Sequence, residues 1–435
     1  MWPVKLSENF SRDADFVAGL CCCTAVFWHY NMKTPRRSFL AAGLGVSLIS
    51  VLSPKPQAAA VKTKLPAKGL KKADLPTPAL LVDLDLFEAN VRFLAEHCKQ
   101  AGCGFRPHAK THKCPEIARR QMAAGARGIC VATVPEAEAM VAAGISGVHL
   151  TSPIVDQNKI GRMIDLARKG RGLMLAVGHA REVALLAEAA EHRGVSLDLL
   201  IDIDVGDRRT GILPGQPALE LARQIAKCRR LRLRGTQAYS GASTHVRGFA
   251  EREKTSRGVL AKAVETRSLL SKEGFDMGIL SGGSTGTYNI DAGTLTELQV
   301  GSYVFMDVNY RVIGGKNGSE TYTDFHPSLT VLTTVVNATH SDQVSVDAGI
   351  KAFATDVQEK PEPRSWPGIS YRRFGDEFGA ITVAPGAKLP QIGDRLEFIV
   401  SHCDPTVNLY DRIYATRGDK VEEIWPIAAR REFAG

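Results

Sequence analysis

Eight consecutive residues, Arg106-Pro-His108-Ala-Lys110-Thr-His112-Lys113, hold two lysines, one arginine and two histidines. They follow the short apolar segment Cys103-Gly-Phe105, and a helix-like stretch opens near Pro115. That order places Lys110 at the C-terminal end of a strand, just before a βα loop, the end at which α/β folds carry chemistry. A lysine amine there can form a Schiff base with a carbonyl cofactor such as pyridoxal phosphate. The same composition also suits a solvated basic loop.

Other segments carry complementary chemistry. Ser281-Gly282-Gly283-Ser284-Thr285-Gly-Thr287 lets backbone approach an anion, with hydroxyls and amides to cradle it. The turn Val300-Gly301-Ser302-Tyr303 adds a second set of small residues nearby in the repeat. Gln237 and Tyr239 alternate along one strand and so share a face, and His245 follows them. Asp202-Ile-Asp204-Val-Gly-Asp-Arg208-Arg209-Thr-Gly211 puts guanidinium groups at another strand end, either for an anionic cofactor or for ion pairs with Asp202 or Asp204. His402 and Asp404 are two apart. In an extended segment they would project the same way and could chelate one divalent ion.

These motifs together resemble the fold-type III pyridoxal phosphate enzymes related to alanine racemase. Within them the chain is most similar to the D-threonine aldolase and D-serine dehydratase group, from about Leu75 to the end. The resemblance implies that Lys110 carries the cofactor and that Arg209, rather than Arg208, approaches its ring. It implies that Tyr239 and Gln237 line the cofactor site and that Ser281, Gly282, Gly283, Ser284, Thr285 and Tyr303 serve the phosphate. His245 would lie near the substrate hydroxyl and the metal, and either it or metal-bound hydroxide would be the base. The aldolases of this group have His-x-Asp where the dehydratases have His-x-Cys, so His402-Cys-Asp404 sides with the aldolases. Nitrogen plus carboxylate suits Mn²⁺ or Mg²⁺ better than Zn²⁺. The implied activity is cleavage of D-3-hydroxy amino acids to glycine and an aldehyde, by a homodimer. The alternatives are a D-serine or 3-hydroxyaspartate dehydratase, an alanine racemase-like racemase, and a cofactor-carrying protein without catalysis. The last is disfavoured because barrel-only carriers lack a C-terminal β domain.

Those residues need a frame. From Cys103 to Gly301, eight short apolar runs alternate with amphipathic helical stretches, the pattern of a (β/α)8 barrel, with a doubly wound sheet as the other possibility. Beyond Tyr310, five strand-like segments with Gly, Pro and Asp turns read as an all-β domain, and the resemblance implies that Pro78–Val82 joins it. The expected division is a leader over 1–60, a linker and first β-domain strand over 61–83, the barrel over 84–312 and the β domain over 313–435. At 44% hydrophobic and 23% charged residues, the composition is that of a globular protein. Of the net charge of +9, residues 1–60 supply six Lys/Arg against three Asp/Glu, leaving a dispersed +6. No basic run interleaved with aromatics occurs, which argues against nucleic-acid binding. The six cysteines beyond residue 60 show no zinc-type spacing and read as buried thiols.

Thr34-Pro-Arg36-Arg37-Ser-Phe-Leu40 is a twin-arginine pattern, followed by the apolar run Ala41–Leu52 and a small-residue cleavage site at Ala58–Ala60. The run is too short for a comfortable span. Residues 1–31 are an odd extension ahead of such a signal, which makes Met32 an alternative start. The expected product is a periplasmic protein beginning near Val61. Changing Arg36 and Arg37 together to lysine should hold it in the cytoplasm on fractionation; unchanged export would sink the twin-arginine reading.

Overall fold

A computed structural model describes residues 69–169 and 171–430, so the twin-arginine segment lies outside the described residues. Among the described residues the chain enters a sheet, leaves it to build a barrel, and returns. Strand β1 (Ala79–Asp83) feeds α1 (Leu84–Gln100), whose first turn is capped by Asp83 accepting from the Leu86 amide at 3.2 Å. Leu84, Phe87, Val91, Leu94 and Cys98 form the buried stripe of α1, at helical spacing.

Eight parallel strands follow. They are β2 (Gly104–Phe105), β3 (Cys130–Val131), β4 (His149–Leu150), β5 (Met174–Val177), β6 (Leu197–Asp202), β7 (Leu231–Ala238), β8 (Ile279–Gly282) and β9 (Glu297–Leu298). Between them run α2 (Pro115–Ala123), α3 (Val134–Ala142), α4 (Gln157–Ala167), α5 (Ala180–Arg193), α6 (Gln216–Ala226), the short α7 (Gly241–Thr244), α8 (Phe249–Lys272) and the one-turn α9 (Tyr288–Asp291). Each strand pairs in parallel with its neighbour from β3 round through β9 to β2. The ring closes between β2 and β3 through the His108–Cys130 bridge and the Cys130 amide donating to Pro107 O at 2.8 Å. The expected (β/α)8 barrel is the fold, and the doubly wound alternative is excluded by this closure.

The last barrel strand leads through α10 (Val308–Arg311) into β10 (Leu329–Asn337), β11 (Gln343–Val346), β12 (Glu362–Pro363), β13 (Ile369–Arg373), β14 (Gly379–Val383), β15 (Arg395–Ile399), α11 (Cys403–Val407), β16 (Arg412–Arg417) and β17 (Lys420–Pro426). β1 lies inside this sheet, antiparallel to β10 and parallel to β16. β12, β13 and β14 were not among the expected strands. In β13 only Ile369 and Tyr371 are buried, alternating with exposed Ser370 and Arg372, which leaves little apolar signal. On the barrel side, Tyr322 and Phe325 pack with Tyr288 and Tyr303 in an edge-on aromatic cluster. Among the described residues no helix is long and apolar enough to cross a membrane.

The barrel interior is polar at its N-terminal end. Arg106 pairs bidentately with Glu297, Nε to Oε1 at 2.8 Å and Nη2 to Oε2 at 3.0 Å, with both side chains almost fully buried. The guanidinium also donates to the carbonyls of Arg127 and Gly147. It fits because Gly128 and Gly147, both at positive φ, have no side chain; a Cβ on Gly128 would stand 2.1 Å from Arg106 Nη1. Removing one partner of such a pair leaves an uncompensated buried charge. Glu297→Gln should therefore cost about 3–5 kcal/mol in chemical denaturation. Replacing both residues by apolar ones of similar volume should recover much of it. A loss below about 1 kcal/mol for the single variant would show that the pair is not holding the barrel.

Candidate active site

A cavity of about 460 Å³ opens at the C-terminal end of the barrel strands, roofed by the β domain. Lys110 enters it from a single 3-10 turn, Ala109–Thr111, beyond β2. His108 caps that turn: the Lys110 amide donates to His108 Nδ1 at 3.3 Å. That bond leaves the proton on Nε2, which meets Thr151 Oγ1 at 3.1 Å, and Thr151 in turn donates to Val131 O at 3.1 Å. Burial, with Lys110 adding to it, holds His108 well below the usual histidine range, so it is neutral and keeps this tautomer.

The Lys110 Nζ lies 3.7 Å from Asp404 Oδ1. The Asp404 carboxylate is the main reason that the Lys110 ammonium titrates above its ordinary value. Burial alone would raise Asp404, but Lys110, His402 and Lys113 outweigh it and hold the carboxyl below its ordinary range. Lys113 does not line the cavity. At positive φ, it turns its Nζ back to the carbonyls of Lys110 and Asp404, the latter at 3.3 Å, and its own carbonyl accepts from the Ala429 amide at 3.0 Å.

The expectation that His402 and Asp404 share a face of an extended segment is corrected. His402 is extended, but Asp404 sits in the first turn of α11. Their side chains still converge, His402 Nε2 to Asp404 Oδ2 at 4.0 Å, because the helix begins between them. His402 Nδ1 is 2.6 Å from Asp356 Oδ2. Among the described residues, no three His, Cys, Asp or Glu side chains form a metal cage.

Arg209, Gln237, Tyr239 and His245 all line the cavity. The Arg209 guanidinium lies over the Tyr239 ring, 4.8 Å from its centroid. Gln237 is the hub of a buried network. Its Nε2 donates to Asp202 Oδ1 at 2.9 Å and to Thr151 O at 3.1 Å, while its Oε1 accepts from His149 at 2.9 Å and from Gln299 Nε2 at 3.1 Å. Gln237 is thus spent on orienting its neighbours. His245 lies at the rim, its ring 4.3 Å from that of Tyr310. Desolvation there, with His402 adding to it, moves its pKa down to about 4.

Of the expected phosphate residues, Ser284 and Thr285 face the cavity, joined by Gly301 and Ser302. The others do not. Ser281 and Gly282 belong to β8, where Ser281 Oγ accepts from Gln299 at 3.0 Å. Gly283 makes the turn at φ +74° with Asp291 and Leu295 behind it. The Tyr303 ring points into the core, its hydroxyl accepting from Gln121 at 3.1 Å. Two loops meet at this side of the cavity: the Tyr303 amide donates to Thr285 Oγ1 at 3.0 Å, tying one to the other. A Cβ on Gly301 would come within 2.6 Å of Thr111 Oγ1, so only glycine leaves this floor open. Among the described residues the amides of Thr285, Gly301 and Ser302 have no internal acceptor. Three free amides beside the hydroxyls of Ser284, Thr285 and Ser302, across a cavity from a lysine amine, fit a phosphorylated carbonyl cofactor.

Sequence reasoning missed His108, Thr111, Thr151, Tyr310 and Asp356. His108 and Thr111 stood inside the singled-out run but carried no separate signal. Tyr310 and Asp356 are ordinary residues until the β domain folds over the barrel.

The family profile described as "Alanine racemase, N-terminal domain" matches residues 82–309, and a serine dehydratase domain profile matches 328–416. D-threonine aldolase from Arthrobacter sp is 38% identical over 367 residues, covering 84% of this chain and 95% of that protein. 3-Hydroxy-D-aspartate aldolase from Paracoccus denitrificans (strain Pd 1222) is 32% identical, covering 83% and 94%. Among solved structures, D-threonine aldolase from Filomicrobium marinum superposes with a TM-score of 0.76 at 37% identity, covering 82% of this chain and 96% of that one. D-threo-3-hydroxyaspartate dehydratase from Delftia sp. HT23 gives 0.73 at 26%, covering 83% and 99%. With the barrel and the β domain each matched, this chain belongs to the alanine racemase-like, fold-type III family of pyridoxal phosphate enzymes.

Proposed function

We propose that the protein is a pyridoxal phosphate- and divalent-metal-dependent aldolase that cleaves D-3-hydroxy amino acids, D-threonine among them, to glycine and an aldehyde. One observation carries the reading: the cofactor lysine and a His402–Asp404 pair face each other in a single cavity, Lys110 Nζ to Asp404 Oδ1 at 3.7 Å. Asp356 on His402 Nδ1 leaves Nε2 turned toward Asp404, the arrangement in which a carboxylate orients a metal-binding imidazole. The donor set, one nitrogen and one carboxylate with room for water or substrate, favours Mn²⁺ or Mg²⁺ over Zn²⁺.

When bound, the cofactor supplies an electron sink for the Cα–Cβ bonding pair, and the ion lowers the pKa of the substrate 3-hydroxyl. The chain's own residues do the rest. Ser284, Thr285 and Ser302, which line the cavity, would hold the phosphate, and Arg209 with Tyr239 would border the ring. Lys110 would hold the cofactor's carbonyl carbon through its amine. His245, neutral at neutral pH, accepts the hydroxyl proton. The β domain over the barrel mouth restricts water. A homodimer belongs to this reading.

The second reading, a 3-hydroxyaspartate dehydratase, uses the same parts and expels the hydroxyl. Against it stands the placement of Cys403, which is fully buried and cannot offer a thiolate, while Asp404 lines the cavity. Assaying D-threonine, D-serine and D-3-hydroxyaspartate with and without Mn²⁺ separates the two. Glycine marks the aldolase, ammonia the dehydratase.

Lys110→Ala should abolish the visible absorbance of lysine-bound cofactor, whereas Lys113→Ala, whose amine is committed to two carbonyls, should keep it. The reverse result would move the cofactor to Lys113. Chelation should remove glycine formation while leaving the cofactor absorbance. Asp404→Ala should do the same, lowering kcat/KM by about a hundredfold or more, since an ion contributes several kcal/mol at a developing alkoxide. Full metal-dependent cleavage by Asp404→Ala would place the ion elsewhere.

A further inference from the structure

We infer that Asp307, a residue outside the cavity, is the positioning residue for both the His402–Asp404 pair and the Tyr310–His245 rim; the inference rests on the metal reading above. Asp307 is fully buried and lies between the barrel and the β domain. Its two carboxylate oxygens serve two different helices. Oδ1 accepts from the Tyr310 amide at 3.0 Å, capping α10. Oδ2 accepts from the Cys403 amide at 2.8 Å, in the first turn of α11.

Each helix presents groups to the cavity at the point where Asp307 grips it. α10 carries Tyr310, on which the His245 ring rests, and Asn309, whose Nδ2 lies 3.5 Å from His245 Nε2. α11 starts between His402 and Asp404, so the captured Cys403 amide sits midway between the two side chains that converge. The neighbouring backbone is zipped in the same register: the Val308 amide donates to Val400 O and the Asn309 amide to Ser401 O, both at 3.1 Å. These two bonds would hold the segments together without Asp307. Within the 402–404 turn, Asp356 holds His402 Nδ1, Thr406 Oγ1 donates to His402 O at 2.6 Å and Lys113 Nζ to Asp404 O at 3.3 Å, but among these bonds only the one from Asp307 takes the Cys403 amide between the two side chains. One side chain therefore grips both turns at once through its two oxygens.

Asparagine tests this directly. It has the same shape, but its amide nitrogen faces one of the two backbone donors and cannot accept. Cofactor-loaded wild type, Asp307→Asn, Asp307→Ala and Asp404→Ala would be titrated with Mn²⁺, following free ion by electron paramagnetic resonance. Cofactor absorbance and thermal midpoint would be recorded beside it. Wild type should bind and Asp404→Ala should not. Asp307→Asn should weaken Mn²⁺ binding about tenfold and Asp307→Ala up to about a hundredfold, with the cofactor band retained in both. Wild-type affinity in Asp307→Asn would overturn the inference and leave the metal reading intact. Loss of cofactor together with metal in both variants would also overturn it, by making Asp307 a general support of the mouth. No Mn²⁺ binding by wild type would overturn the metal reading itself.

Discussion

The position of β1 between β10 and β16 is the constraint on which the rest depends. The five-residue strand that precedes the barrel is paired on one side with β10 and on the other with β16, strands that follow the barrel. The chain must therefore leave the sheet and return to it, and the barrel in between cannot swing freely. Asp83 ends β1 and caps α1, so the direction in which the barrel leaves the sheet is set within one residue. Arg364 holds the same carboxylate from the β-domain side, at 2.6 Å.

With the two domains locked, the seam between them becomes a place where charges can be held close. Lys113, Asp307 and Asp404 all lie along it. Such burial is costly unless every group has partners, and here the partners come from both sides. Lys113 donates to one barrel carbonyl and one β-domain carbonyl. Asp307 accepts one amide from each domain. Inside the barrel the same logic recurs in the Arg106–Glu297 pair and in Gln237, which joins His149, Asp202 and Gln299. This interior is stiff because most of its polar groups are occupied, with His149 Nδ1 and Thr236 Oγ1 as exceptions. The groups that face the cavity, Lys110 and Arg209 among them, stand on that stiff base.

The phosphate end shows how local and tertiary signals differ. The glycine and hydroxyl run 281–287 marks a loop by composition alone, and its place after the seventh barrel strand marks it as an anion site. Which of its residues face the anion is another matter. Ser281 and Gly282 are still strand, and Gly283 spends its positive φ on the turn, so the cradle starts only at Ser284. The other half comes from Gly301 and Ser302, joined to it through Thr285.

The sequence by itself determined the alternation of strands and helices, because burial imposes a period on each element that is written locally. It also determined Lys110 and Ser284 as candidates, because the ends of barrel strands converge by construction, while Arg209 and Tyr239 were singled out by the resemblance of their motifs to the family. Only the tertiary structure decided that His402 and Asp404 face Lys110, since Lys113 and Asp404 are 291 positions apart and meet through sheet pairing, not local periodicity. It decided that the pair is bent around a helix start rather than laid along a strand. It decided that Tyr303 is core and Tyr310 is site, because which side of a short turn faces a cavity depends on what covers it. The same reason hid Asp307 and Asp356, whose roles exist only once a second domain supplies their partners.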